Sequence, residues 1–261
     1  MKLFSETHGD GTPIVLIPGF ASGAWIWFRQ IAGLAGDFRV VTFDPRGIGR
    51  SRVARLEDLA DLTMASFVDD VKQILDEHGI EKAVVAGASF GGFVAQEFAL
   101  KYRERVEKLV LCCTSAGGPG HVKPAPEILQ AFVPDPSLTV GERIRKHIGP
   151  AFTDRFNAEH PDEVERVCRL REENEVHDAV YLAQIQAAFL FDTNARLENI
   201  DTATLVVTGR DDRVVPIENS LNLAAKLPRA RLEIIDHGSH LFFVEQAEQF
   251  NEIISRFVRG A

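Results

Sequence analysis

The 261-residue sequence predicts an α/β fold, a mostly parallel central sheet flanked by helices, with a helical cap inserted into it. Three observations predict this. Short apolar runs alternate with helical patterns along most of the chain. A Gly87-Ala88-Ser89-Phe90-Gly91 pentad sits where one such run meets a helix. Between Gly117 and Arg196 the alternation stops, and seven of the 12 prolines crowd between Pro119 and Pro161.

One strand fits before Ile14, around Leu3–Thr7, which makes the N-terminal edge short. Ile14–Ile17 follows as a strand ending at Pro18-Gly19, and Trp25 to Leu34 reads as a helix. Val40–Phe43 is the next strand, closed by Asp44-Pro45-Arg46-Gly47. Leu62 to His78 carries apolar residues at helical spacing (Met64, Phe67, Val68, Val71, Ile74, Leu75) and stops at Gly79. Lys82 to Ala86 forms the strand before the pentad, and Phe93 to Tyr102 belongs to the helix after it. Val106–Cys113 is a further strand.

The interrupted stretch then contains charged helical segments, Pro161 to Val176 and Ala179 to Phe191. A structureless connection of this length is rare in a compact domain, so it reads as an inserted cap. Thr204–Thr208 and Arg231–Ile235 complete the strands, with helices near Ile217–Leu227 and Glu245–Val258. The resulting division is a core of residues 1–116 and 197–261, with a cap of residues 117–196 inserted after the sixth strand position.

The composition, 45% hydrophobic, suits one globular domain. A net charge of −9 argues against nucleic acid or an anionic membrane as partner. No signal-peptide core stands at the N-terminus, and no apolar run reaches the roughly 18 residues of a membrane span. Cys112, Cys113 and Cys168 have neither disulfide nor zinc-site spacing. The expectation is a reduced, cytoplasmic protein without cofactor or metal, with homo-oligomerisation left open.

Ser89 has the setting of a nucleophile. A strand turning into a helix within one or two residues strains the central residue and exposes its side chain, and Gly87 and Gly91 leave the room this needs. Its hydroxyl needs a base, and the base needs an acid. The carboxylates Asp211 and Asp212 follow a strand, at the sheet edge where parallel sheets bind ligands. His237 and His240 follow the last strand, giving the chain order Ser, Asp, His.

These motifs together resemble the α/β-hydrolase superfamily over nearly the whole chain. Pro18-Gly19-Phe20 matches its oxyanion loop, Asp44-Pro45-Arg46-Gly47-Ile48-Gly49-Arg50-Ser51 its D-x-R-G-x-G-x-S segment, and Gly87–Gly92 its nucleophile elbow. Gly209-x-x-Asp212-x-x-x-Pro216 matches the acid loop and Gly238-Ser239-His240 the histidine loop. The resemblance selects Asp212 over Asp211 as acid and His240 over His237 as base. It places the oxyanion hole at the backbone N–H groups of Phe20 and Phe90. Relatives that carry the acid after the sixth strand have no counterpart here, since Cys112-Cys113-Thr114-Ser115 contains no carboxylate. One departure is Pro18, where the family commonly has histidine, which puts the loop's rigidity in question.

The implied activity is that of a small serine hydrolase, a carboxylesterase or lactonase acting on a small ester or lactone through an acyl-enzyme. C–C hydrolases of meta-cleavage diketo acids share the triad but usually carry tryptophan after the histidine, where Leu241 stands. Haloalkane and epoxide chemistry need a carboxylate nucleophile, which Ser89 excludes. A non-catalytic ligand receptor on the same fold is the remaining alternative. Arg46 and Arg50 read as turn residues rather than substrate ligands, and Trp25 and Trp27 as packing or surface residues. Phe132, Phe152, Phe156, Phe189 and Phe191 suit either an apolar roof or packing within the cap. His121, His147, His160 and His177 lack metal-ligand spacing and are expected on the surface.

Overall fold

The computed structural model describes residues 2–52, 62–133, 135–174 and 176–260. Met1, Pro134, Glu175 and Ala261, which the sequence reading assigns to the core ends, the proline-rich tract and a helical stretch, lie outside them, as does 53–61.

Seven strands form one sheet: β1 (Ser5–His8), β2 (Thr12–Ile17), β3 (Phe38–Phe43), β4 (Ala83–Ala88), β5 (Val106–Cys112), β6 (Thr204–Gly209) and β7 (Ala230–Ile235). Their spatial order is β1-β3-β2-β4-β5-β6-β7. Only β1 runs antiparallel, against β3, and every other pair is parallel. The helices are α1 (Phe28–Leu34), α2 (Met64–Glu77), α3 (Phe90–Lys101), α4 (Pro126–Ala131), α5 (Val140–Ile148), α6 (Asp154–Glu159), α7 (Pro161–Glu173), α8 (Asp178–Leu190), α9 (Ile217–Lys226), α10 (Phe242–Glu245) and α11 (Ala247–Arg259). No described helix is long and apolar enough to cross a membrane.

The strands' side-chain period of two sorts their residues into two cores. Ile14 and Leu16 of β2, with Val84 and Ala86 of β4, pack toward Phe250 and Ile254 of α11. Val15, Ile17 and Val85 pack on the other face against Val71 and Ile74 of α2 and Val94 and Phe98 of α3. Because both faces are covered, β4 is buried at every residue, and that is why its sequence is uninterruptedly apolar or small.

Residues 113–203 contribute no strand to the sheet among those described; they supply α4 to α8. An antiparallel bridge between Gly117 and Asp192, reinforced by the Thr193 N–H to the Ala116 carbonyl (2.9 Å), clips the two stems together. The insertion leaves the sheet after β5. In chain order that is the fifth strand of the seven described. The final helix is also split. Gln246, at φ −127°, ψ 50°, separates α10 from α11, and its side chain caps the Asp236 carbonyl at 2.9 Å.

Candidate active site

All the site's loops leave the carboxyl ends of parallel strands. At the end of β4, Ser89 takes φ 54°, ψ −117°, a left-handed value that a side chain seldom adopts. Several bonds hold it there. Its N–H donates to the Cys112 carbonyl (2.9 Å), and its carbonyl accepts from the Gly92 N–H (2.9 Å) and the Thr114 hydroxyl (2.8 Å). A Cβ on Gly87 would collide with the Gly91 carbonyl, and one on Gly91 with the Ile17 carbonyl, so this turn admits no side chain at either place.

The acid and histidine loops meet just as closely. A Cβ on Gly209 would strike the Gly238 carbonyl, and the Asp211 N–H donates to that same carbonyl at 2.9 Å. Asp212 is buried. Its Oδ1 accepts from the Val214 and Val215 N–H groups, each at 2.8 Å, and its Oδ2 lies 2.8 Å from His240 Nδ1. An ionised carboxylate only accepts, so Nδ1 carries the proton and Nε2 is left as the basic nitrogen. Asp211 and His237 are exposed, the latter occupying a left-handed turn (φ 59°). The geometry thus brings Asp212 and His240 together and leaves Asp211 and His237 outside.

The loop of Gly19, Phe20 and Ala21 faces the elbow. Ala21 has φ 51°, and its N–H donates to Gln184 Oε1 of α8 at 2.8 Å. Farther along, the Ala24 N–H donates to Asp44 Oδ1 (2.8 Å), while Asp44 Oδ2 accepts from the Arg50 N–H (2.9 Å) and Nε (3.1 Å). These ties supply the rigidity that Pro18 cannot give with a side chain. Neither the Phe20 nor the Phe90 N–H donates to another described residue. Phe90 opens α3, where helix N–H groups lack internal partners and the dipole favours negative charge.

Ser89 and His240 line one cavity of about 70 Å³, with Phe20, Cys113, His147 and Arg171 among its walls. They are not hydrogen-bonded to each other here; such contacts commonly tighten only with substrate in place. Ser89 also lines an open, mainly apolar cleft of about 770 Å³ with Phe93, Leu129, Phe132 and Phe189. The cap phenylalanines therefore divide. Phe132 borders both spaces, Phe189 is 88% exposed at the cleft, and Phe191 stacks on Phe93 (centroids 4.2 Å apart). Phe152 and Phe156 instead stack on each other within the cap (5.1 Å).

Other expected residues fall outside the cavity. Arg46 makes a two-point ion pair with buried Asp70, and Arg50 pairs with Asp44 and Glu6. Trp27 is buried against Phe243. Two histidines expected on the surface are partly buried. His121 bonds the Ser115 hydroxyl at 3.0 Å. His147 borders the cavity, where burial, aided by the cations Arg171, Lys146 and Arg143, lowers its pKa to about 4. His160 and His177 are exposed, and His177 caps α8 by accepting the Ala179 N–H.

Sequence reasoning quoted Asp44 only as part of a motif and passed over three further residues that shape this site: Arg171, Gln184 and Glu245. Glu245 binds the Ser239 N–H and the Thr153 N–H, both at 2.6 Å, and so ties the histidine loop to the cap. Burial raises its pKa. Of these three, only Arg171 left a sequence signal, as a cation on the apolar stripe of α7 with Val164, Val167 and Cys168. Among the described residues, Cys113, Asp212 and His240 form a cluster whose donor atoms lie within 4.8 Å of one another. The 2.8 Å separation of Nδ1 and Oδ2 suits a shared proton; two tetrahedral zinc ligands at about 2.0–2.2 Å from a metal would stand farther apart.

Residues 12–247 match the family model described as the alpha/beta hydrolase fold. A protein of Azorhizobium caulinodans named carbamate hydrolase RutD is 32% identical over 98% of this chain and 94% of its own. The 2-hydroxy-6-oxo-6-phenylhexa-2,4-dienoate hydrolase of Comamonas testosteroni is 31% identical over 96% of this chain and 89% of its own. Among solved structures, a thermophilic esterase from Thermogutta terrifontis superimposes with a TM-score of 0.80 at 28% identity, covering 99% of this chain and 93% of that one.

Proposed function

Because the chain belongs to the α/β-hydrolase family, we propose that it is a serine hydrolase that cleaves a small carboxylic ester or lactone through an acyl-enzyme. The Asp212–His240 pair, bordering one cavity with a strained Ser89, carries this reading. His240 Nε2 takes the proton of Ser89 Oγ as it attacks the carbonyl carbon. Negative charge then gathers on the carbonyl oxygen, which the Phe20 and Phe90 N–H groups receive. Asp212 stabilises the imidazolium formed. His240 returns the proton to the leaving alcohol as the C–O bond breaks. Water, deprotonated by the same nitrogen, then releases the acid and restores Ser89.

Residues 117–196 act as the cap, since they supply the Arg171, His147 and Phe132 side of the cavity. No step calls for a cofactor. The buried, unpaired thiols of Cys112, Cys113 and Cys168 suit a reducing, cytoplasmic setting. A carbamate substrate is the second reading, favoured by the name of the Azorhizobium relative; it asks for the same attack on a carbonyl flanked by nitrogen. Leu241, bordering the cavity next to His240, weighs against C–C cleavage.

The test compares wild type with Ser89→Ala on p-nitrophenyl acetate, p-nitrophenyl butyrate, γ-butyrolactone and an aryl carbamate. Turnover should fall by about 10³-fold or more in the variant, and a fluorophosphonate should add its mass to Ser89 of the wild type alone. Absence of both turnover and labelling would sink the reading.

A further inference from the structure

Helix α7 turns Val164, Val167, Cys168 and Arg171 to one side, at spacings of three and four. Three of these belong in a protein interior. Arg171 does not, yet it is only 9% exposed. Among the described residues no ion pair or hydrogen bond engages its guanidinium. Burying a cation without a counter-charge is costly, and a fold keeps such a group where something else supplies the charge.

Arg171 borders the cavity that Ser89 and His240 line. It also borders a second chamber of about 80 Å³ that shares His147 with that cavity and is lined by Arg143, Asp178 and Tyr181. Arg143 too has no partner among the described residues. His147, held largely neutral at pH 7, adds a hydrogen-bonding nitrogen. Among the described residues of the chamber's walls, Asp178 is the one carboxylate against these two cations. The wall shared by the chamber and the catalytic cavity, Arg171 with His147, thus suits an anion.

The two spaces that Ser89 borders differ in size, and the larger is mainly apolar, with Lys123 on its wall. The Arg171 side holds about 70 Å³, room for a handful of atoms, whereas the apolar cleft is about 770 Å³ and open. In acyl transfer the alcohol must leave while the acyl group stays on the serine. The wider cleft therefore suits the alcohol, and the narrower cavity suits the acyl group. Resting on the hydrolase reading, we infer that the acyl group carries a second carboxylate, that Arg171 receives it, and that the preferred substrates are half-esters of short dicarboxylic acids. A guanidinium offers two parallel N–H donors to such a group.

The experiment pairs monoethyl glutarate with ethyl pentanoate, two esters of equal acyl length that differ in one carboxylate. Wild type should favour the half-ester in kcat/KM by at least about tenfold, chiefly through KM. Arg171→Met should abolish or invert that preference, and Arg171→Lys should keep part of it. Glutarate binding, measured by calorimetry on Ser89→Ala with and without Arg171→Met, should weaken by at least about tenfold. The Arg171→Met chain should melt no lower than wild type, since it loses a buried unpaired charge. Equal losses on both esters with a lower melting temperature would make Arg171 a packing residue and overturn the inference. Ester turnover with no charge preference and no glutarate binding would overturn it while leaving the hydrolase standing. Glutarate binding with no ester turnover would remove the hydrolase instead.

Discussion

Asp212 gives its two oxygens different tasks: Oδ1 fixes the loop through Val214 and Val215, and Oδ2 fixes the His240 tautomer. Replacing it with asparagine keeps one carbonyl oxygen. If that oxygen stays with the loop, the amide N–H₂ faces Nδ1 and forces the proton onto Nε2, the nitrogen that should act as base. Asp212→Asn should therefore cut kcat by about 10³–10⁴-fold with little change in the melting temperature, while exposed Asp211→Asn stays within a few-fold. Steady-state rates beside thermal melts decide this; a larger loss at Asp211 would reassign the acid. The elbow was legible residue by residue because its demands are local: Gly87 and Gly91 are small where backbones nearly touch. The choice of Asp212 over Asp211 came from the resemblance, through the spacing from Gly209, and not from local chemistry, because adjacent carboxylates differ only in what the histidine loop brings to them. Arg171 was legible in principle, as a charge on an apolar stripe, although a stripe does not say that the charge goes unpaired.

Among the elements, α8 shows how far a helical pattern reads. Its span was evident from the residues, and the structure places it at Asp178–Leu190. That Gln184 on this helix would accept the Ala21 N–H, 163 positions earlier in the chain, depends on the tertiary fold alone. The bond couples the cap to the oxyanion loop. Gln184→Leu fills the space but leaves the buried N–H without an acceptor, at a cost of about 1–3 kcal/mol. Melting temperature should fall, and kcat should fall by about tenfold or more as the Phe20 N–H loses its fixed aim. An unchanged kcat in a correctly folded Gln184→Leu enzyme would show that Asp44 holds the loop unaided. Strands read more fully. The apolar run of β4 and the two-faced alternation of β2 follow from a sheet covered on both sides, and their positions came out within a residue or two. The gap at Gln246 was missed because the helical pattern continues across it.

For the molecule as a whole, a net charge of −9 coexists with a cationic interior end of the catalytic cavity, so the surface charge does not describe the site. Burial of His147, with cations close by, makes the fold sensitive to acid. Burial first, then Arg171, Lys146 and Arg143, holds the His147 pKa at about 4, against 6.5 for an ordinary histidine. Between those values the unfolded chain binds a proton at His147 that the folded chain refuses. Stability therefore rises with pH across this window, reaches its full value above about pH 6.5, and is lost as pH falls toward 4. After allowance for the ring's partial exposure, the contribution is about 1–2 kcal/mol. Glu245 leans the other way. Burial raises its pKa, so its ionisation is resisted by the fold and its contribution favours the protein below the ordinary glutamate range, fading as pH rises through the folded value. The Glu245 contribution runs upward from the ordinary glutamate range, so it opposes that of His147 where the two meet, and a variant at His147 is needed to separate them. Urea midpoints of wild type and His147→Gln, taken at pH 7 and pH 5, isolate the effect. Wild type should lose more stability than the variant on acidification, by up to about 1–2 kcal/mol. Parallel losses in the two proteins would place the acid sensitivity elsewhere and show His147 to be protonated without penalty in the folded cap.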